Sequence, residues 1–416
     1  PAGAPEAFVI PAGQAKGNLH DALVAGQVPG LSSIRDLYSD NIHLNDLGHW
    51  FIAATHAEAV AGLDASSLPL SVTVSGTTYA GPDAATAQVM ADIIAQTVPS
   101  VEPPTMTGGP GADMLVGDGD DNVLQGFDGN DVLIGGGGDD SLDGGAGWDI
   151  ARFSGSQDHY SMTISATGIT IEDRRSGGDG TDQLDSIEEA EFIDAGGSGP
   201  VGRIVMGQLA TVAQLDQSQM ESLIELYIAF FDRAPDAIGL SFWGTALAYG
   251  LSMEEIARLF TSQAEVMETY PQGVADETFA AMVYQNVLGR EADDAGFNFW
   301  TTALSTGAIG RDQFILTVLE GAKAAPQPGL PAGFAAQQLA DQQYLADKTD
   351  LGAYFAVHLG MSDVDNARAV TAAFDGTAQS LQDAAGLIDT FHNAAMNPGS
   401  AEFLMPIVGV LDDPGW

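Results

Sequence analysis

The residues best suited to chemistry are glycines and aspartates that recur in a fixed pattern between residues 108 and 152. Five nonapeptides follow one another without a gap: GGPGADMLV, GDGDDNVLQ, GFDGNDVLI, GGGGDDSLD and GGAGWDIAR. The window from Gly108 to Asp149 holds ten aspartates and no lysine or arginine. Because ionised carboxylates repel one another, this segment should be expanded by itself. A hard divalent cation would remove that repulsion and let the chain fold.

Two places of the nonapeptide supply the ligands and the packing. The sixth place reads Asp113, Asn122, Asp131, Asp140 and Asp149, and the eighth reads Leu115, Leu124, Leu133, Leu142 and Ala151. Carboxylate and backbone carbonyl oxygens are the ligands of calcium, and glycine lets the backbone turn sharply enough to present its carbonyls. The leucines form an apolar stripe that one repeat could not bury alone. A disordered acidic linker is the alternative, but a linker has no reason to keep leucine in register.

These nonapeptides resemble the RTX calcium-binding repeat, whose pattern is G-G-x-G-x-D-x-U-x. The resemblance implies a parallel β-roll, in which each loop shares a calcium ion with the loop two repeats later. The pairs that would share an ion are Asp113 with Asp131, Asn122 with Asp140, and Asp131 with Asp149. The second repeat departs from the pattern at Asp120 and Asn122, which weakens the middle pair. The calcium-binding residues predicted on this basis are Gly109, Gly111, Asp113, Asp118, Asp120, Asn122, Gly129, Asp131, Gly136, Gly138, Asp140, Gly145, Gly147 and Asp149.

The stretch after the last repeat alternates in the manner of β-strands, with a turn at Gly168. It looks like the β cap that ends such rolls. This stretch contains three more aspartates, Asp173, Asp179 and Asp182. They could bind a further ion, but a solvated loop is the favoured interpretation.

A second chemical signal lies in YSDNIHLNDLGHW, residues 38–50. Asp40 precedes His43 by three positions, so its carboxylate could hold the imidazole in one tautomer, as in a Ser-His-Asp triad. The stretch resembles the last motif, D-x-x-H-[LP]-[NS]-x-x-G, of the SGNH (GDSL-like) esterases. That resemblance implies that residues 1–99 are the C-terminal part of an α/β hydrolase domain. Within it, an N-cap signal near Asn45 or Asp46 predicts a helix from about residue 47 to 61, directly after the loop with Asp40 and His43. The nucleophilic serine is expected in a partner segment upstream of Pro1.

Two other interpretations of these residues stay open. Asp40 and His43 could be ordinary polar residues of a loop. His43, His49 and His56 could form a transition-metal site, although two helical turns between His49 and His56 are a poor spacing for one ion.

The downstream part contains an internal duplication. The stretch 227–250, YIAFFDRAPDAIGLSFWGTALAYG, matches 284–307, YQNVLGREADDAGFNFWTTALSTG. It resembles a helical domain of unassigned function that follows calcium repeats in bacterial exoproteins, similar in pattern to phycobilisome linker domains. Arg233 and Arg290 could contact a partner. Alternatively, each arginine pairs locally with Asp236 or Asp293, and the Phe-Trp pair of each copy packs inward.

The predicted fold is multidomain: a partial α/β segment, a parallel β-roll with a β cap, and then all-α helical domains. The boundaries are residues 1–99 for the hydrolase-like part, 100–107 for a Pro/Gly linker, 108–196 for the roll and cap, 205–324 for the duplicated helical domain, and 334–416 for a C-terminal helical region. A type I secretion signal is expected in the last region, with a break between the helical parts at 325–333.

Composition restricts the partners. The chain carries 57 acidic against 13 basic residues, a formal net charge of -44, which disfavours nucleic acid. It has no cysteine and no apolar run long enough for a transmembrane segment. The resemblance implies a secreted bacterial protein, extracellular or bound to the cell surface, with calcium as its cofactor. The expected function is calcium binding by a β-roll that folds on binding the ion, in the C-terminal part of an esterase-like exoprotein. That exoprotein would act by a Ser-His-Asp mechanism, with the serine outside this chain. The alternative is a non-enzymatic surface or matrix adhesion protein with an inactive hydrolase remnant and a partner for its helical domain.

Overall fold

The structure is a computed structural model that divides the chain into two compact units, Pro1–Pro103 and Pro104–Trp416. It describes residues 12–29, 31–37, 45–61, 66, 69–74, 77–97, 103–193, 200–325, 332–397 and 402–412. The helices are α1 (Ala12–Val24), α2 (Asp46–Ala61), α3 (Ala84–Thr97), α4 (Gln217–Phe231), α5 (Ala237–Ala248), α6 (Met253–Phe260), α7 (Ala264–Thr269), α8 (Asp276–Leu288), α9 (Asp294–Ser305), α10 (Arg311–Lys323), α11 (Ala332–Ala353), α12 (Val364–Ala373) and α13 (Ala378–Ala395).

The strands are short in the repeat region and longer after it. They are β1 (Ser71–Val74), β2 (Thr77–Ala80), β3 (Thr105–Thr107), β4 (Met114–Val116), β5 (Val123–Gln125), β6 (Asp128–Gly129), β7 (Val132–Ile134), β8 (Ser141–Asp143), β9 (Ala146–Gly147), β10 (Ile150–Phe153), β11 (Tyr160–Ser165), β12 (Gly168–Asp173), β13 (Thr181–Asp185), β14 (Glu189–Ile193), β15 (Pro200–Val205) and β16 (Ile407–Val408). The predicted order of a strand-rich region followed by helices is confirmed.

The first unit packs α1, α2 and α3 around buried apolar side chains such as Leu19, Phe51 and Met90. Asn45 caps α2, because its side-chain oxygen accepts a hydrogen bond from the Gly48 amide at 3.0 Å. The helix expected after the Asp-His stretch is therefore present. Asp40 and His43 themselves lie outside the described residues. The strand pairing described in this unit is the antiparallel hairpin β1–β2, so the hydrolase-like parallel sheet stays a prediction.

In the repeat region, alternate nonapeptides send their strands to opposite sheets. One sheet contains β3, β5, β8 and β13 in that order, and the other contains β4, β7, β10 and β14. All these neighbours run parallel, and Leu124 lies beside Leu142 as Leu115 lies beside Leu133. Each turn of the coil therefore takes two nonapeptides. Leu124, Leu133 and Leu142 are buried, as the eighth-place stripe predicts, while Leu115 at the first repeat is only partly buried.

The coil begins earlier than the sequence suggested. Thr105–Thr107, which the sequence analysis assigned to the linker 100–107, forms β3 and pairs with β5. The pairing has a simple physical reason: β3 precedes the first Gly-Asp loop and supplies the first strand against which β5 can complete its hydrogen bonds. The proline and glycine residues around Thr105–Thr107 indicate a linker and give no sign of a strand.

A set of longer strands follows the repeats. β11, β12 and β13 pair antiparallel, and β13 also pairs parallel with β8 of the coil. β16 returns from the far end of the chain to pair with β11, and Arg174 donates a hydrogen bond to the carbonyl of Glu402 at 2.6 Å. The end of the chain is thus bound into the same sheet as the repeats.

The helices before and after residues 326–331 share one core. Lys348 on α11 is buried and donates a hydrogen bond to the carbonyl of Asn286 on α8 at 2.9 Å. The Ala237 amide at the start of α5 donates to the carbonyl of Met361 at 2.9 Å. Gly352 on α11 packs against Ile224 on α4 so closely that a methyl group there would collide. Both sides of the predicted break at 325–333 therefore contribute to the same hydrophobic core.

The duplication is visible in the helix starts. Asp236 accepts a hydrogen bond from the Gly239 amide at 2.7 Å and caps α5, and Asp293 does the same for Gly296 at 2.9 Å before α9. The predicted aspartate caps are present in both copies. They follow from local sequence, because the cap and its acceptor lie three residues apart.

The expected local ion pair is present for Arg233, whereas Arg290 and the aromatic pairs differ from the expectation. Arg233 pairs with Glu265 at 2.7 Å and Asp236 at 3.2 Å, whereas Arg290 pairs with Asp341 at 2.6 Å and not with Asp293. The aromatic pairs do not pack inward as a whole. Phe242 and Phe299 are exposed, while their neighbours Trp243 and Trp300 lie against Phe260 and Phe314. Successive residues of a helix point about 100° apart, so only one of each pair can face the core.

Candidate metal centre

The loops between the strands stack on one another at the spacing that the sequence predicts. The amide of Asp113 donates a hydrogen bond to Oδ1 of Asp131 at 2.8 Å. The amide of Asn122 donates to Oδ1 of Asp140 at 2.7 Å, and that of Asp131 to Oδ1 of Asp149 at 2.7 Å. Each predicted pair is therefore brought together, because two nonapeptides make one turn of the coil.

The second oxygen of these carboxylates has no partner. Oδ2 of Asp131, Asp140 and Asp149 is buried and accepts no hydrogen bond. The three residues are 0 to 3% exposed. A buried ionised oxygen without a hydrogen bond or a countercharge is strongly unfavourable, and this part of the chain has no basic side chain to supply one. These oxygens fit a bound cation.

Backbone carbonyls lie in the same gaps between loops. Gly147 sits directly over the carbonyl of Gly129, and Gly129 over that of Gly111. Gly145 lies over the carbonyl of Phe127 in the same two loops, and in the intervening loops Gly136 and Gly138 lie over Asp118 and Asp120. The φ angles of the five glycines are 149° at Gly129, 108° at Gly136, 101° at Gly138, 93° at Gly145 and 154° at Gly147. Only glycine tolerates both that backbone conformation and that contact.

The donor set indicates the type of cation. Among the described residues, no three His, Asp or Glu side chains converge in a way that would hold a metal by themselves. A cation between two loops must therefore take most of its ligands from backbone carbonyls, with a carboxylate from each loop. Calcium accepts six to eight oxygens in flexible geometry, whereas magnesium demands a rigid octahedron and keeps its waters. The arrangement suits calcium.

Three predicted ligands in the first two repeats are less buried than the sixth-place aspartates of the later repeats. Asp113 is half-buried and its Oδ2 accepts a hydrogen bond from the Gly109 amide at 2.6 Å. Asp118 and Asp120 are exposed, and Asp118 accepts from the amide of Asp120 within its own loop at 3.0 Å. Their side chains do not reach the next loop, and it is their backbone that faces Gly136 and Gly138.

Two further acidic residues, Asp182 and Glu188, continue the ladder beyond the five contiguous repeats. The Asp140 amide donates to Oδ1 of Asp182 at 3.0 Å, and the Asp149 amide donates to Oε2 of Glu188 at 2.7 Å. Asp182 is buried rather than solvated. Asp173 and Asp179, which were grouped with it, serve other partners: Asp173 pairs with Arg175, and Asp179 accepts from the hydroxyl of Tyr160 at 2.6 Å.

Burial makes these carboxylates harder to ionise when no cation is bound. It raises the pKa of Asp140 to about 6, with the nearby charges of Asp121 and Asp118 adding to the effect. Burial and the neighbouring charge of Asp140 raise the pKa of Asp182 to about 8. The pKa of Asp149 is raised for the same main reason. A bound cation would favour the ionised carboxylates and so lower these pKa values again.

We expect metal-free protein to become more stable as the pH falls from about 8.5 to 5.5. The folded-state pKa of Asp140 and Asp182 lies above the ordinary value of 3.8, so the folded state binds protons more tightly than the unfolded state. That stabilisation is lost as the pH rises through 6 and then 8. Thermal unfolding of protein passed over a chelating resin, followed by circular dichroism, measures it. Asp140→Asn should flatten the dependence, and a metal-free midpoint that rises with pH would contradict the assignment.

Gly147→Ala should strongly destabilise the coil. The new methyl group would collide with the carbonyl of Gly129, at a φ of 154° that alanine rarely adopts. We expect a loss of more than about 3 kcal/mol in the free energy of unfolding in calcium. Gly119→Ala is the matched control, because nothing lies within 4 Å of a methyl group there. Denaturant titrations of both variants check the difference, and equal effects would show that the loops do not stack this closely.

A coil of Gly-Asp nonapeptides whose buried carboxylates lack countercharges defines a calcium-binding repeat. Comparison with known families agrees: residues 107–142 and 125–158 match the RTX calcium-binding nonapeptide repeat. Such repeats bind calcium ions, and proteins that carry them are typically secreted. Residues 257–325 match a domain of unknown function, DUF4214, which includes the second copy of the helical duplication.

Other similarities are limited. The extracellular lipase LipA from Serratia marcescens is similar at 21% identity, with a TM-score of 0.20, over 22% of this chain and 15% of that chain. The chain therefore spans only a small part of the lipase, and the likeness supports no argument about fold or activity. No curated protein matches this chain. No helix among the described residues is both long and apolar enough to cross a membrane.

Proposed function

We propose that the region from residue 104 to 193 is a calcium-binding β-roll that orders when it binds calcium, within a secreted bacterial protein. The three pairs Asp113 with Asp131, Asn122 with Asp140, and Asp131 with Asp149 share the ions, together with backbone carbonyls of the stacked loops. Asp131 serves two pairs. Calcium is thus a structural ion, not a reagent.

One observation carries this proposal. One carboxylate oxygen of each of three aspartates accepts a hydrogen bond from the backbone amide 18 residues, or two repeats, earlier. These are Asp131, Asp140 and Asp149. Each buries the other oxygen with no partner. The repetition matters more than any single residue, because a chance orphan would not recur at the same place of successive nonapeptides. A periodic set of buried negative charges is explained by a periodic set of cations.

Ion binding would supply folding free energy that other features of the chain do not. The chain has no cysteine to form disulfides, and its net charge of -44 opposes compaction. Because the unfolded chain has no preformed site, the free energy of calcium binding adds to the stability of the folded state. Such a chain would be least stable where calcium is scarce and would gain its full stability outside the cell. This fits the expected export through a type I exporter.

Calorimetric titration of metal-free protein tests the proposal. We expect several calcium ions to bind per chain, with a parallel gain in β signal by circular dichroism. Magnesium at the same concentration should produce neither effect, because it does not accept a flexible set of backbone carbonyls. Absence of calcium binding up to about 10 mM, roughly ten times the weakest dissociation constant of extracellular calcium sites, would overturn the proposal.

The esterase-like hypothesis for residues 1–99 is a separate proposal. It is supported by the side-chain cap at Asn45, which precedes α2 and lies two residues after His43 in the sequence. Hydrolysis of 4-nitrophenyl esters by a protein that joins this chain to a Gly-Asp-Ser segment, lost on His43→Ala, would support it. No hydrolysis, with calcium-dependent adhesion to cells or matrix polymers, would favour the non-enzymatic surface protein.

A further inference from the structure

A sixth nonapeptide lies out of phase with the other five. Residues 177–185 read GGDGTDQLD, with glycine at the first, second and fourth places, Asp182 at the sixth and Leu184 at the eighth. This satisfies every defined place of the G-G-x-G-x-D-x-U-x pattern. The region that matches the family ends at residue 158, so this nonapeptide lies beyond it. The hairpin of β11 and β12 separates it from the contiguous repeats.

The sixth nonapeptide occupies the place of the next coil turn. Leu184 on β13 pairs in parallel with Leu142 on β8, as Leu142 pairs with Leu124 one turn earlier. Asp182 follows Asp140 by 42 residues, whereas Asp140 follows Asn122 by 18. The chain thus leaves the coil, forms the hairpin and returns to the same stacking position.

Three contacts of the contiguous repeats recur at this loop. At the sixth place, the Asp140 amide donates to Oδ1 of Asp182, as the Asn122 amide donates to Oδ1 of Asp140. At the fifth place, the Thr181 amide donates to Oδ1 of Asp139 at 2.9 Å, which repeats the bond from the Asp139 amide to Asp121 at 2.8 Å. At the fourth place, Gly180 has a φ of 87° and sits over the carbonyl of Gly138.

The gap between these two loops holds uncompensated negative charge. Asp182 is 1% exposed and Asp140 is 3% exposed. Oδ2 of Asp140 is buried without a hydrogen bond. Among the described residues, no lysine or arginine pairs with either carboxylate, and the nearby Arg175 is taken by Asp173 at 2.5 Å. Burial of both carboxylates, the amide bond to Oδ1 and the absence of a basic partner among the described residues also mark the last gap between the contiguous loops; here the partnerless oxygen belongs to Asp140.

We propose that the loops 135–140 and 177–182 hold a further calcium ion, with Asp140 and Asp182 as its carboxylate ligands. The inference rests on the proposed function and extends it beyond the contiguous repeats. Asp179 at the third place anchors the displaced loop to the cap, since it accepts hydrogen bonds from the Ser154 amide and the Tyr160 hydroxyl, both at 2.6 Å. The ion would therefore join the cap strands to the coil.

Asp182→Asn tests the proposal in the full chain. Equilibrium dialysis against calcium should show one ion fewer per chain than in the unchanged protein. Asp185→Asn is the control, because it removes the same charge from an exposed position on the same strand and should leave the number unchanged. If Asp182→Asn binds as many calcium ions, with the same affinity, as Asp185→Asn, the proposal is overturned.

A second measurement does not depend on the folding of a variant. Crystals of the unchanged protein soaked in Tb³⁺ should show anomalous peaks between the paired loops, including one between loops 135–140 and 177–182. Peaks between the contiguous loops without that one would overturn the further site and leave the proposed function intact. No peak between any of the loops would overturn both.

Discussion

Removal of calcium at neutral pH should lower the midpoint of thermal unfolding of the Pro104–Trp416 unit by roughly 15 °C or more. A ligand at about 100 times its Kd contributes about 2.7 kcal/mol per site, so the three proposed pairs together would contribute about 8 kcal/mol. That is comparable with the whole stability of an ordinary domain. The measurement is a thermal scan of the full chain in millimolar calcium and in excess chelator, at one ionic strength.

The effect should extend beyond the repeats. One hydrophobic core runs from Leu124 in the coil through the helices to Val410 near the end of the chain. β16 and the Arg174 bond to Glu402 fasten that end to the cap. Helical signal should therefore begin to melt at lower temperature in chelator. Magnesium in place of calcium is the control, and identical scans with calcium and chelator would contradict ion-coupled folding.

Asp131→Asn should weaken calcium binding more than removal of a charge that serves a single proposed pair, such as Asp113→Asn. Asp131 belongs to two of the three proposed pairs, and both its amide and its Oδ1 take part in the ladder. We expect about two of the ions to bind at least tenfold more weakly, since even loss of an outer-shell partner reduces metal affinity by about that factor. Calorimetric titration with calcium measures the change.

The same substitution should have the opposite effect without calcium. Asp131 is fully buried with one oxygen unpartnered, so the neutral asparagine removes a charge that the metal-free protein cannot compensate. We expect Asp131→Asn to raise the metal-free unfolding midpoint while lowering the calcium-bound one. Asp128→Asn, at an exposed third place of the same loop, should change neither by much. A variant that is destabilised equally in both conditions would indicate a packing defect and not a lost ligand.

In the repeat region, local sequence predicts most of the contacts between neighbouring loops. The nonapeptide period places Asp113 over Asp131 and Leu124 beside Leu142, because a coil of two repeats per turn brings together residues 18 apart. Glycine at the turning places and aspartate at the sixth place then define the gaps and their charge. The same is true of the helix caps Asp236 and Asp293, which act three residues away. In each case the partners are near in sequence or related by a fixed period.

The nonapeptide period alone therefore predicts the coil of two repeats per turn, the ladder of paired carboxylates and the leucine stripe. Three contacts depend on the tertiary structure. The chain re-enters the coil at Asp182, Arg290 pairs with Asp341, and β16 pairs with β11 of the cap. These contacts join residues separated by stretches of variable length. No period fixes such pairings; they depend on how the hairpin and the helices pack, and that is a property of the whole core.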